Sequence, residues 1–237
     1  MALEEHRIPE APEAMYYIPD FISQDEEQSI LHSIPDGKWI SLSKRRLQAV
    51  PARLSATNTL LAAPLPPWLL EPIVPRFRPL GLFRDAPHGV NHCLINEYLP
   101  GQGIMPHEDG AAYHPVVATV SLGGALVLDV TAKPSSRPPD GHNGPLARPT
   151  WRVLQEPRSL LLTTADAYTE TLHGIAEITE DTDLGPTTIA NWGQLGDMQH
   201  FQDNGGRNTR STRISLTYRD VKKVSSIGSR LFGKPKS

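Results

Sequence analysis

Twenty-three prolines and eighteen glycines punctuate this 237-residue chain. Each proline fixes φ and removes a backbone donor, so helices of more than a few turns have little room to form. What lies between the breaks is short and β-prone. Residues 15–18, 90–98, 116–122, 125–130, 159–164, 169–178 and 213–219 all read as strands. Many short strands with turn signals predict an antiparallel barrel or jelly roll. Gly123-Gly124 separates two apolar runs and reads as the turn of a β-hairpin.

The N-terminal part is mixed. Ser23-Gln24-Asp25-Glu26 is a capping box that opens a helix over residues 24–34. Residues 38–41 read as a short strand. Residues 65–82 are apolar but broken by Pro72, Pro75 and Pro79, which predicts isolated helical turns. Residues 133–149 read as a loop, and the polar run 179–212 as a long insertion.

Composition narrows the setting. Cys93 is the single cysteine, so no intrachain disulfide can form and a reducing compartment is expected. The first thirteen residues carry no apolar run and no stretch is long enough to span a membrane. The expected location is cytoplasmic, with the nucleus open to a chain of this size. A net charge of −3 argues against a wholly basic nucleic-acid coat. The charge is uneven, however: eight acids fall in the first thirty residues, and the tail beyond residue 221 is basic.

The candidate chemistry centres on His107-Glu108-Asp109. In an extended chain His107 and Asp109 share a face, which aims an imidazole and a carboxylate at one point. A second histidine would complete a two-histidine, one-carboxylate triad of the kind that holds Fe(II) with one face open. His173, in the strand-like run 169–178, is the candidate. His114, His142 and His200 lie in settings with no ligand geometry and read as exposed.

Arg213-Ile214-Ser215-Leu216-Thr217-Tyr218-Arg219 alternates strictly. Ile214, Leu216 and Tyr218 share one face. Arg213, Ser215, Thr217 and Arg219 share the other, which would line a polar interior if this strand closes the fold. The two arginines stand roughly 20 Å apart along such a strand, so only one can grip the far carboxylate of a small dicarboxylate. The other then acts nearer the metal or the substrate.

Taken together, these stretches resemble the AlkB-like branch of the Fe(II)/2-oxoglutarate dioxygenases, and within it the homologue-6 group. The resemblance is carried by Cys93 to Gly101, Met105-Pro106-His107-Glu108-Asp109-Gly110, Leu172-His173-Gly174-Ile175 and Arg213-x-Ser215-x-Thr217-x-Arg219, with a softer match at Tyr16 to Ile22. It implies a double-stranded β-helix (a jelly roll, cupin-like) with an α/β N-terminal support. Residues 1–88 would form an extension with helices and a substrate lid, and residues 89–221 the dioxygenase core with insertions at 133–149 and 179–212. Residues 222–237 would be a basic tail.

The resemblance also implies roles. His107, Asp109 and His173 would hold Fe(II). Asn96, Tyr98, Arg213, Ser215 and Arg219 would bind 2-oxoglutarate, with Arg213 on its distal carboxylate. Lys44, Arg45, Arg46 and Gln48 would meet the substrate. The implied reaction is oxidative demethylation or hydroxylation of alkylated or single-stranded nucleic acid. Three features depart from the nucleic-acid repair pattern, one being the long insertion 179–212 between His173 and Arg213. Ala111 stands where repair members carry an acid that contacts the damaged base. The lid runs from Gln48 into Ala49-Val50-Pro51 rather than into an aromatic that could stack on a flipped base. A protein or small-molecule substrate is therefore the alternative, and a non-enzymatic jelly-roll binding module a further one.

Overall fold

The computed structural model describes residues 3–134 and 149–225. Strand β1 (Met15–Ile18) is buried along its length. Helix α1 (Gln24–Ser33) starts at the capping box: Glu26 N donates to Ser23 Oγ at 3.2 Å, and Ser23 N donates back to Glu26 Oε2 at 2.7 Å. Strands β2 (Ile40–Ser41), β3 (Arg46–Val50) and β4 (Leu60–Leu61) follow. The proline-rich segment forms two brief helices, α2 (Pro67–Leu70) and α3 (Ile73–Phe77), as the proline spacing demands.

The chain then becomes mainly strand: β5 (His92–Tyr98), β6 (Ile104–His107), β7 (Val116–Gly123), β8 (Leu126–Ala132), β9 (Thr150–Gln155) and β10 (Leu160–Thr164). Helix α4 (Ala165–Glu170) leads into β11 (Thr171–Ile175). Strand β12 (Glu180–Asp181), helix α5 (Met198–Asp203), β13 (Asn208–Thr209), β14 (Arg213–Arg219) and β15 (Val224–Ser225) complete it. Among the described residues no helix is long and apolar enough to cross a membrane.

Two sheets make a jelly-roll sandwich rather than a closed barrel. The larger has seven strands in the order β1-β10-β7-β14-β5-β3-β2, and the smaller has four, β6-β11-β8-β9. All of these neighbours are antiparallel. Alternation along β14 works as the sequence predicts. Leu216 and Tyr218 pack outward with Ile30, Leu69, Ile73 and Phe77 of the three short helices. Arg213, Ser215, Thr217 and Arg219 point inward to a cavity between the sheets. Each fully buried aliphatic or aromatic side chain on the helical side contributes about 1.5–3 kcal/mol. The core is therefore layered, with helices on one face of the large sheet and, on the other, a second apolar cluster around Met15, Leu128, Val130 and Leu161 into which the cavity is set.

The structure corrects three sequence expectations. First, residues 116–130 are not a hairpin. β7 pairs with β10 and β14 in the large sheet, whereas β8 pairs with β11 and β9 in the small one. Gly123-Gly124 carries the chain between sheets, under Ser211 and Thr212. A Cβ on Gly123 would lie 2.5 Å from Thr212 O, and one on Gly124 2.5 Å from Ser211 Oγ. Gly123 also has φ +80°, which only glycine adopts without strain. These glycines serve a close backbone approach, which a local turn rule cannot distinguish from a hairpin.

Second, the long insertion expected over 179–212 is not polar throughout. Leu184, Ile189, Trp192, Leu195 and Phe201 are buried in a cluster that includes Val127, Val153 and Leu154. Third, the strand expected over 169–178 begins only at Thr171, because Thr169 and Glu170 finish α4. The remaining loop expectation, 133–149, falls mostly on residues outside those described, as does the tail beyond Ser225.

Candidate active site

β6 and β11 are neighbours in the small sheet, with His107 directly opposite His173. Their ring centroids are 4.4 Å apart. Gly174 lets the strands close: a Cβ there would meet the Pro106 and Ile104 backbones at 3.0–3.2 Å. The His107 Nδ1–H donates to Met105 O at 2.9 Å, since a carbonyl can only accept. That contact orients the ring and makes Nε2 the nitrogen a metal would take. Burial, reinforced by His107 and Arg219 and partly opposed by Asp109, holds the His173 pKa down to about 4. Its imidazole is thus in the neutral, ligating form near pH 7.

Asp109 lies on the same cavity wall. Its Oδ1 accepts from the Arg219 guanidinium, and Arg219 in turn sits 4.7 Å from the Tyr113 ring centre. Among the described residues no three ligating side chains are closed around one point, because the arginine holds the carboxylate. The donor set nevertheless matches a divalent iron in kind. Two imidazoles face each other, and the carboxylate on the same cavity wall still has Oδ2 to offer while Arg219 holds Oδ1. Tyr168 OH donates to Gly110 O at 2.6 Å, tying the Asp109 turn to α4.

The cavity holds about 90 Å³ of open space. Asn96, Tyr98, Arg213, Ser215 and Arg219 all line it, together with the three candidate ligands. Three arginines are buried among the described residues. Arg210 faces Asp181 and Arg219 faces Asp109. Arg213 faces no carboxylate; one nitrogen donates to Ser121 Oγ and Gln155 Oε1, each at 2.9 Å, and its Nε–H has no partner. Burial pushes its pKa down to about 10, so it remains charged. A buried cation without a counter-ion is costly, and an anionic ligand would relieve that cost.

The expected substrate segment is only partly a free lid: Lys44 and Arg45 lie in the β2–β3 connection, and strand structure begins at Arg46. β3 pairs with β5 through five residues, Arg46 to Val50 against Glu97 to Cys93. Alternation sends only Arg45 to the cavity, where its Nε–H donates to Asn96 Oδ1 at 3.2 Å. Arg46 turns away onto Glu97, in a two-pronged pair at 2.5 and 2.7 Å, and lies 4.5 Å over the Trp39 ring. Lys44 pairs with Glu177 at 2.7 Å on the surface. Gln48 is 2% exposed and donates to Pro35 O at 2.9 Å. Gln48 is thus a buried tie to the helical layer and not a substrate contact, and Arg46 has its guanidinium already committed.

Sequence reasoning assigns no role to Gln155, Ser121, Tyr168 or His92. The β-branched and aromatic content of Thr150-Trp151-Arg152-Val153 is the signal that could locate β9 and hence Gln155. His92 is directly opposite Arg219 in the β5–β14 register. It is buried, neither ring nitrogen closes a hydrogen bond of normal geometry, and Tyr113 lies 6.0 Å away. Burial first, then the Arg219 charge, lower its pKa to about 4, with the Ala52 backbone pulling weakly the other way. The unfolded chain therefore takes up a proton near pH 6.5 that the folded one refuses until about pH 4. Stability is fully present above pH 6.5 and falls as the pH drops to 4, by about 3 kcal/mol in all. His92→Phe should flatten that part of the acid profile in urea titrations; parallel profiles would place the acid sensitivity elsewhere.

With this geometry in view, the comparisons with known proteins are specific. A family profile described as the 2OG-Fe(II) oxygenase superfamily matches residues 41–219. The probable RNA/DNA demethylase ALKBH6 of Danio rerio is 40% identical over 227 residues, covering 94% of this chain and 92% of that protein. The tRNA (carboxymethyluridine(34)-5-O)-methyltransferase alkbh8 of Xenopus tropicalis is 27% identical and covers 90% of this chain, but only 32% of its own length is matched. Among solved structures, OsALKBH1 superposes with a TM-score of 0.52 at 15% identity, covering 87% of this chain and 96% of that one, which speaks for the fold alone. The chain belongs to the 2OG-Fe(II) oxygenase superfamily, in its AlkB-like branch, and is an oxidoreductase of the dioxygenase class.

Proposed function

We propose that this chain oxidatively demethylates alkylated nucleic acid, using Fe(II) and 2-oxoglutarate held in the cavity between its sheets. The observation that carries this reading is the uncompensated Arg213, buried in the same cavity as the facing His107–His173 pair. His107, His173 and Asp109 would hold the metal. Arg213 would receive the distal carboxylate of 2-oxoglutarate as a charge-assisted pair, beside Asn96, Tyr98 and Ser215. When bound, the iron and its cosubstrate supply dioxygen-driven hydroxylation of a C–H bond, with 2-oxoglutarate leaving as succinate and carbon dioxide. On an N-methyl group the hydroxylated product breaks down to free amine and formaldehyde.

The protein's own part is to orient and to keep water out. Arg219 steadies Asp109, Tyr168 steadies the turn after it, and Arg45 and Asn96 close one wall. The nucleic-acid substrate rests on likeness to the Danio rerio relative, whose name describes an RNA/DNA demethylase. The test is formaldehyde release from methylated single-stranded DNA and RNA. Wild-type protein should release it and His107→Ala should not. Turnover of 2-oxoglutarate with no formaldehyde from any methylated oligonucleotide would discard the substrate and leave the dioxygenase. Ala111 and the tied-down β3 support a second reading, a protein or small-molecule substrate. A nucleic-acid complex that weakens with salt by several ion equivalents would count against it.

A further inference from the structure

We infer that Gln155, with Ser121, positions Arg213, and that the neutrality of residue 155 makes the cavity selective for a dicarboxylate. This rests on the reading that 2-oxoglutarate occupies the cavity. Gln155 ends β9 on the small sheet, Ser121 lies on β7 of the large sheet, and Arg213 reaches both from β14. Gln155 and Ser121 are almost wholly inaccessible. A guanidinium can only donate, so the amide oxygen of Gln155 must face it. Ser121 accepts from Arg213 and turns its own hydrogen to Gln155 Oε1 at 3.3 Å. Three neutral or donating groups thus form a closed triangle that spans both sheets at one end of the cavity.

The choice of a carboxamide matters. Arg210 and Arg219 are each matched by a buried aspartate, so the fold can neutralise an interior arginine. At Arg213 it supplies the same kind of acceptor geometry without the charge. The guanidinium is held still, yet its positive charge remains unspent until a carboxylate arrives from the cavity. Gln155→Glu changes one NH2 to an oxygen and places an internal carboxylate where the ligand's should act.

The experiment is calorimetric titration, under anaerobic conditions, of Mn(II)-loaded full-length protein with 2-oxoglutarate and with 2-oxopentanoate, which lacks the distal carboxylate. Wild type should prefer 2-oxoglutarate strongly. Gln155→Glu should weaken 2-oxoglutarate on the order of a hundredfold and leave 2-oxopentanoate nearly unchanged. The ligand-free melting temperature of this variant should rise, an outcome that mere damage to the fold would not give. Ser121→Ala is the second variant, expected to weaken 2-oxoglutarate about tenfold. Should Gln155→Glu fail to fold, the Ser121→Ala titration decides alone. Unchanged preference in the variants, with preference lost in Arg213→Ala, would overturn the positioning role and leave the cosubstrate site standing. Preference retained in Arg213→Ala, or no binding to wild type, would overturn the cosubstrate reading and the inference with it.

Discussion

Arg213→Met should abolish the response to 2-oxoglutarate while making the ligand-free protein no less stable. The first half follows from the loss of a desolvated charge pair, worth about 2–5 kcal/mol of binding, or roughly thirtyfold to a few thousandfold. The second half follows from what the guanidinium does when nothing is bound. It is buried, it faces two neutral acceptors, and its Nε–H is unpaired. Replacing such a group by an apolar chain of similar length removes a desolvation cost. Thermal melts would separate the two. At a ligand concentration a hundred times Kd, wild type should gain about 2.7 kcal/mol, on the order of 5–10 °C in Tm. The variant should begin at an equal or higher Tm and stay there. A variant that still rises with 2-oxoglutarate would show that the distal carboxylate lies elsewhere.

Asp181→Ala should destabilise the fold by about 3–5 kcal/mol, the cost of leaving a buried charge without its partner. Asp181 and Arg210 are almost fully buried, and their two-pronged contact measures 2.6 and 2.9 Å. Asn208 Nδ2 donates to the same carboxylate at 3.0 Å, and Arg210 also donates to Ala176 O at 2.7 Å. Ala176 follows directly on β11, so the pair ties residues 177–210 to the strand that carries His173. Chemical unfolding followed by near-ultraviolet circular dichroism would measure the loss. A paired replacement, Asp181→Leu with Arg210→Met, should recover most of it. A single-mutant loss under about 1 kcal/mol would mean that water reaches the pair.

The two predictions concern arginines three residues apart whose roles the sequence distinguishes unequally. Arg213 belongs to a strict alternation, and alternation is a local property of a strand, so its inward face is legible from seven residues. His107 and Asp109 are legible for the same reason. Arg210 lies in a stretch whose polarity suggests an external loop, yet its charge is cancelled by Asp181, 29 residues earlier. Residues 179–212 are polar on average but place Trp192 and Phe201 in a core, and a mean over the segment conceals both. The Gly123-Gly124 crossover was obscured by the same limit. Two apolar runs around glycines satisfy the hairpin rule, and only the distant Ser211-Thr212 backbone shows why neither residue can carry a side chain. The resemblance gives Lys44 and Arg46 to the substrate, and the acids that pair with them, Glu177 and Glu97, are remote in sequence.

The place of β14 between β5 and β7 has a consequence for the order of assembly. Until residues 213–219 have been synthesised, β5 and β7 confront each other across a missing strand, with a row of unmet backbone groups on both. The facing histidines emerge from the ribosome well before that strand, but Asp109 has no arginine to hold it and the cavity no wall. A nascent chain therefore carries the metal-binding residues in an incomplete sheet that is open to pairing with other chains.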